Sequence, residues 1–104
     1  PCREEMPSLD ALQAELGGDD FQVVAIAAGH NPAPAIQKFL TEAEIANLPV
    51  LLDPRQALSR EMGVLGMPVT VLIDRDGNEI ARLIGGADWA SDTAKTVIRQ
   101  ATAP

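Results

Sequence analysis

The residue of this chain best suited to covalent chemistry is Cys2, the only cysteine among its 104 residues. It stands where the first predicted helix begins, and the partial positive charge of a helix N-terminus favours the thiolate form of a cysteine. The thiolate is the nucleophile in disulfide exchange. A small, inert core side chain is the alternative interpretation of a single cysteine. The helix-start position therefore favours a reactive sulfur, although the residue type alone would not.

Glu5 follows Cys2 at i+3, one helical turn further along, so both side chains are predicted on one helix face. A carboxylate there could accept or return a proton as the thiol changes state. Its negative charge would also raise the pKa of the thiol and oppose the helix dipole. Glu5 is therefore a candidate for proton transfer and for tuning the pKa of Cys2. A first-turn acid that interacts only with the helix dipole is the alternative.

Met67-Pro68 directly precedes a predicted strand. A cis bond there would turn the Met67 backbone outward, where an extended substrate segment could pair with it. Because only about 5% of X–Pro bonds in folded proteins are cis, local physics by itself favours trans.

Composition excludes several classes of partner. A net charge of −7 argues against nucleic acid and against anionic membrane surfaces. No apolar run approaches the roughly 20 residues of a membrane span, so no membrane segment is predicted. His30, the only histidine, has no cysteine and no second histidine to join it, and we predict no metal site. One cysteine does not decide the redox compartment.

Hydrophobic periodicity predicts alternating helices and strands in one α/β domain of mixed strand direction. A near-continuous apolar strand at 21–27 indicates burial on both faces, and Asp76-Gly77 predicts a hairpin turn. A strand that should feed the first helix is not among the 104 residues. The predicted elements are a helix ending at Gly17-Gly18, a strand at 21–27, a helix from Ile36 to near Asn47, a strand at 49–52, a helix at 55–62, hairpin strands at 69–74 and 79–84, and a closing helix capped by Asp88 or Ser91.

Five segments of the sequence form a recognisable set: 1–7 (PCREEMP), 23–27 (VVAIA), 48–53 (LPVLLD), 63–70 (GVLGMPVT) and 72–77 (LIDRDG). Together they resemble the TlpA/ResA-like thioredoxin family. The resemblance implies a thioredoxin-like three-layer α/β sandwich with a mixed sheet and an αβ insertion at about 31–52. Residues 1–104 would then form a single thioredoxin-like domain that lacks its N-terminal strand or strands.

The resemblance also implies roles for individual residues. The family's active site is Trp-Cys-x-Pro-Cys, so Pro1-Cys2 matches its last two positions and Cys2 would be the resolving thiol. Glu5 falls on the family's acidic residue, and Pro68 on its cis-proline. Pro1, Met67 and Pro68 would therefore contact substrate. Because the family's first cysteine is not in this sequence, we expect the chain by itself to be redox-impaired.

By resemblance, the whole protein would reduce disulfides in partner proteins of the periplasm or another extracytoplasmic compartment, typically apocytochromes c or copper-site proteins. It would draw electrons from an upstream thiol reductant, need no cofactor, and could be membrane-anchored. Two alternatives stay open. One is a non-enzymatic fragment or binding module that self-associates through unpaired strand edges as a homo-oligomer or domain swap. The weaker one is a one-cysteine peroxidase, in which the thiolate attacks peroxide.

Overall fold

The computed structural model describes residues 2–29, 32–64, 66 and 68–102, and it shows the predicted order of helices and strands. The elements are α1 (Cys2–Leu16), β1 (Ala25–Ala28), α2 (Ala33–Glu42), β2 (Val50–Asp53), α3 (Ala57–Glu61), β3 (Val69–Ile73), β4 (Glu79–Ile84) and α4 (Asp92–Thr102).

Helix α1 ends at the predicted glycine pair, and an ion pair links it to α4. The Gly17 N–H donates to the Gln13 carbonyl at 2.8 Å, which closes the last turn. Farther along the α1 surface, Glu15 accepts from Lys95 of α4, with Oε2 and Nζ 2.5 Å apart. That hydrogen bond is the main reason that the pKa of Glu15 is lowered. Helix α4 therefore contacts the C-terminal half of α1 through this ion pair.

Strands β1 and β2 pair in parallel, with Ala25 opposite Val50. The strand begins later than the pattern predicts, because the Val23 N–H donates instead to Gln13 Oε1 at 2.6 Å. The prediction that both strand faces are buried is wrong at Ile26, because this residue is 44% exposed. Pairing with β2 occupies an edge of β1 and not its faces, which are buried only where helices or loops pack on them.

Strands β3 and β4 form the predicted antiparallel hairpin, with Val69 opposite Ile84. Asp74 Oδ1 accepts the N–H groups of Asp76 and Asn78 at 3.0 and 2.9 Å, which holds the turn closed. The strand directions are thus mixed, as predicted, although the described strands lie in two separate two-stranded sheets.

Side chains before α3 and α4 cap these helices. Asp53 accepts the backbone N–H groups of Leu58 and Ser59 at 3.4 and 3.1 Å, and also the Ser59 hydroxyl at 3.1 Å. Burial acts to raise the pKa of Asp53, but these hydrogen bonds outweigh it and the pKa is lowered. At α4, Ser91 Oγ accepts the Ala94 N–H at 3.2 Å, so Ser91 is the N-cap of the two predicted candidates.

The aliphatic core of the described chain is small. Leu12 of α1 and Ile98 of α4 are its fully enclosed members, 2% and 5% exposed. Many apolar strand residues instead face solvent. The exposed large apolar residues are Val24, Ile26, Leu51, Leu52, Leu58, Ile73, Ile80, Leu83, Ile84 and Val97.

Candidate active site

The first turn of α1 carries the residues that the sequence singles out. Cys2 is the first residue of α1, as predicted, and Glu4 and Glu5 are the acids of its first turn. Pro1 and the side chain of Cys2 lie outside the described residues. Arg3 lies over the ring of Phe39 in α2, with its guanidinium carbon 5.3 Å from the ring centroid. This cation–π contact ties the start of α1 to α2.

Glu5 is buried, with 8% of its surface exposed. Its Oε2 atom accepts the Ala87 backbone N–H at 3.0 Å and the Trp89 indole N–H at 3.3 Å. Both donors come from the segment that follows β4, more than eighty positions away in sequence. A buried carboxylate is costly unless hydrogen bonds replace its water, and these two donors do so.

Ser8 fastens the same segment to α1 by two hydrogen bonds of its hydroxyl. Ser8 Oγ donates to the Glu5 carbonyl at 2.7 Å and accepts the Trp89 backbone N–H at 3.0 Å. Residues 87–89 are therefore held against α1 through both backbone and side-chain contacts, next to the Glu5 carboxylate.

Pro68 lies on the other side of this loop from Glu5. It is buried, and its carbonyl accepts the Gly85 N–H at 2.9 Å. A Cβ atom placed on Gly86 would lie 3.6 Å from Glu5 Oε2 and 4.0 Å from Pro68 Cγ. The fold thus brings Glu5 and Pro68 together, with the Gly86 backbone between them. Met67 lies outside the described residues, so the cis Met67–Pro68 bond stays a prediction.

A cavity of about 390 Å³ opens beside the Glu5 carboxylate. Its walls are the first turns of α1 and the loop after β4, so a bound segment would contact both elements at once. Within the described residues no group of three or more histidine, cysteine or acidic side chains could hold a metal ion, and His30 lies outside them. The cavity is lined by Glu4, Glu5, Ser8, Gly86, Ala87 and Asp88.

The described helices include none with the length and apolar character needed to span a bilayer.

Sequence patterns did not identify Ser8 and Trp89 as part of this cluster. A weak signal existed for Ser8, because it follows Glu5 at i+3 and so lies on the same helix face. Nothing local to Trp89 indicates a contact with α1, since the two segments meet only in the folded chain.

Comparison with known proteins places the chain in a family. The redoxin family model matches residues 1–98. Thiol-disulfide oxidoreductase ResA of Bacillus anthracis is 28% identical over 85 residues, which cover 82% of this chain and 48% of the relative. Thioredoxin-like protein YneN of Bacillus subtilis (strain 168) is 28% identical over 79 residues, covering 74% of this chain and 45% of the relative. The chain spans about half the length of these curated relatives.

Solved structures show the same similarity in three dimensions. A putative thiol:disulfide interchange protein DsbE from Chlorobium tepidum superposes with a TM-score of 0.84 at 31% identity, over 99% of this chain and 72% of that one. StoA from Bacillus subtilis gives a TM-score of 0.77 at 17% identity, over 99% and 73%, and shows the fold alone. The exposed lipoprotein thioredoxin Etrx1 of Streptococcus pneumoniae gives 0.73 at 26%, over 97% and 73%.

These matches confirm the thioredoxin-like α/β fold that the sequence predicts, and with it the resemblance to TlpA/ResA-like proteins. The chain belongs to the redoxin family.

Proposed function

We propose that this protein takes part in thiol:disulfide exchange and that the Cys2 thiol is one of the reacting groups. The observation that carries the proposal is Glu5, a buried carboxylate one helical turn from Cys2, held by two N–H donors at the edge of an open cavity. A carboxylate so placed can take the proton that a thiol must lose before it attacks a disulfide. Relatives that are named thiol-disulfide oxidoreductases support this chemistry.

In the proposed reaction Cys2 is the resolving thiol. A partner cysteine first forms a mixed disulfide with the substrate. Cys2 then gives its proton to Glu5 and its sulfur attacks the partner cysteine, so that a new S–S bond forms, the mixed disulfide breaks and the substrate leaves as a thiol. The substrate is reduced, and the two cysteines are oxidised. The 104 residues contain one cysteine, so this chain by itself completes no dithiol cycle.

We further propose that the substrates are disulfide-bearing proteins of the cytochrome c maturation type, met outside the cytoplasm, and that an upstream thiol reductant regenerates the site. The names of DsbE, a thiol:disulfide interchange protein, and of ResA, a thiol-disulfide oxidoreductase, support the disulfide chemistry. The name of Etrx1, an exposed lipoprotein thioredoxin, supports a place outside the cytoplasm. The cytochrome c maturation type rests on the resemblance to TlpA/ResA-like proteins alone. Pro1, Met67 and Pro68 are proposed to contact the substrate backbone. Pro68 lies beside Gly86, and Gly86 lines the same cavity as Glu5, which supports that role.

Oxidised glutathione tests whether Cys2 exchanges disulfides in the folded chain. We expect mass spectrometry to find one glutathione bound per chain, attached at Cys2, with one glutathione thiol released. If the folded chain stays unmodified while the urea-unfolded chain reacts, Cys2 is an inert core side chain and the proposal fails. Insulin reduction with dithiothreitol measures the impairment separately: turnover comparable to that of thioredoxin would contradict it.

The exposed apolar surface favours a second, non-enzymatic property, which is self-association. Every residue of β4 is exposed, including Ile80, Leu83 and Ile84 at 52%, 40% and 80%. A two-stranded hairpin is marginal in isolation and an apolar outer edge invites a further strand. We therefore propose that a second copy pairs with β4. Light scattering should show a dimer whose share grows with protein concentration, whereas a monomer at every concentration would contradict this proposal.

A further inference from the structure

The hydrogen bonds that the described residues make to the Glu5 carboxylate all end on one oxygen. Oε2 accepts the Ala87 N–H at 3.0 Å and the Trp89 indole N–H at 3.3 Å. We infer that Trp89 is a positioning residue of the exchange site: its indole N–H anchors Oε2, so that Oε1 is the oxygen that exchanges a proton with Cys2. This inference rests on the proposed function, in which Glu5 serves Cys2 as proton acceptor.

The chemistry of the donors decides between the two oxygens. An indole N–H and a peptide N–H can only donate, whatever the protonation state of their partner. A proton on Oε2 would point an O–H group at one or both of these donors and remove the acceptor they require. A proton on Oε1 leaves both hydrogen bonds intact. The geometry therefore directs proton transfer to Oε1.

The backbone that carries the indole is held in place at two points. The Trp89 backbone N–H donates to Ser8 Oγ, and that hydroxyl donates to the Glu5 carbonyl. On the following residue, the Ala90 N–H donates to Asp88 Oδ1 at 3.0 Å, which fixes the local turn. Because the Trp89 backbone is tied to α1 independently of the Glu5 carboxylate, the indole N–H restricts that carboxylate to one rotamer.

The proton balance of the step is complete. The Cys2 S–H gives its proton to Oε1, the sulfur electron pair forms the new S–S bond, and the old S–S bond breaks. The leaving thiolate then takes the proton back from Oε1 or from water. Trp89 exchanges no proton and no electron in this sequence, so its effect must act through Glu5.

A double-mutant cycle tests that dependence. The measured quantity is the pH midpoint of iodoacetamide alkylation of Cys2 in the wild-type chain, Glu5→Gln, Trp89→Phe and the double variant. Glu5→Gln removes a nearby negative charge and should lower the midpoint by about 1 pH unit. Trp89→Phe keeps an aromatic ring but frees the carboxylate, and should lower the midpoint by roughly 0.4 to 1 unit, the size of one hydrogen bond.

The cycle separates this inference from the proposed function. If Trp89 acts through Glu5, the double variant matches Glu5→Gln alone. An equal Trp89→Phe shift in the Glu5→Gln background, or no shift in the wild-type background, overturns the inference while the role of Glu5 stands. No shift in Glu5→Gln overturns the role of Glu5 and the inference together.

Two further variants guard against a general loss of structure. Replacing Trp89 with benzothienylalanine exchanges only the indole N–H for sulfur, so its shift should equal that of Trp89→Phe; an unchanged midpoint would contradict the inference. Phe39→Leu is the matched control, because it removes an aromatic contact to α1 that does not involve Glu5. Its midpoint should stay at the wild-type value, and a shift as large as that of Trp89→Phe would show that any aromatic loss perturbs the site.

Discussion

Replacing Gly85 and Gly86 separately with alanine should have opposite effects on stability, although the two residues are adjacent. Gly85 has a φ of +104°, a conformation that residues with a Cβ rarely adopt, and its N–H donates to the Pro68 carbonyl. No atom lies within 4 Å of a Cβ built there, so the cost is one of backbone strain alone. That strain is about 1–3 kcal/mol, and restriction of the unfolded chain offsets about 0.4–1 kcal/mol of it. We expect Gly85→Ala to lower the free energy of unfolding by about 1–2 kcal/mol.

Gly86 is the matched control. Its φ lies outside the region that disfavours side chains, and an added Cβ would make ordinary contacts at 3.6 Å with Glu5 Oε2 and 4.0 Å with Pro68 Cγ. With no strain to set against the restricted unfolded chain, Gly86→Ala should raise the free energy of unfolding by up to about 1 kcal/mol. The two variants should therefore differ by about 2 kcal/mol.

Urea unfolding followed by far-UV circular dichroism measures this difference directly, from the shift of the midpoint at constant slope. For a domain of this size, 2 kcal/mol corresponds to a difference of about 8–16 °C in Tm. If Gly85→Ala were as stable as Gly86→Ala, the positive φ at Gly85 would be refuted. The route by which the loop after β4 approaches Glu5 and Pro68 would be refuted with it.

Three further predictions concern single side chains. Because the folded-state pKa of Asp53 is lowered, its carboxylate stabilises the fold at pH values above its ordinary pKa of about 3.9, and that contribution disappears as the pH falls through the folded value. Asp53→Asn should therefore be less stable than wild type at pH 7. Urea titrations should also show that this variant loses less stability than wild type on acidification. Ser8→Ala removes both hydrogen bonds of the Ser8 hydroxyl and should lower the free energy of unfolding by about 1–3 kcal/mol, with a change in Trp89 emission; unchanged emission would contradict the contact. Ser91→Ala removes the cap of α4 and should cost about 1 kcal/mol without altering that emission.

Local patterns predicted the elements of this fold well, because each of them is encoded within a short segment. Gly17-Gly18 ends α1, and Asp76-Gly77 forms the hairpin turn at the predicted place. The start of β1 was less predictable, since the side chain of Gln13 takes the N–H of Val23 before the ladder begins. Such competition between a side chain and a strand partner depends on tertiary contact and leaves no periodic signal.

The residues of the candidate site likewise fall into those that local sequence predicts and those that only tertiary contact brings in. Cys2 and Glu5 could be paired from their i+3 spacing on one helix. The donors that hold Glu5 could not be found in this way, because Trp89 reaches it across 84 positions of sequence. The sequence around a single tryptophan after a glycine pair does not indicate which residue it will contact. Only the folded chain shows that Trp89 and Glu5 are in contact.

The central claim is that Cys2 and Glu5 act as one exchange site, and the pH dependence of the reaction between Cys2 and oxidised glutathione tests it most directly. Glu4→Gln is the matched control, because Glu4 belongs to the same first turn and carries the same charge but is exposed. The account predicts that Glu5→Gln moves the midpoint of the rate profile about 1 unit lower and that Glu4→Gln moves it much less. Equal shifts in both variants would show that Glu5 acts only as a first-turn charge, and superimposable profiles for Glu5→Gln and wild type would contradict the claim.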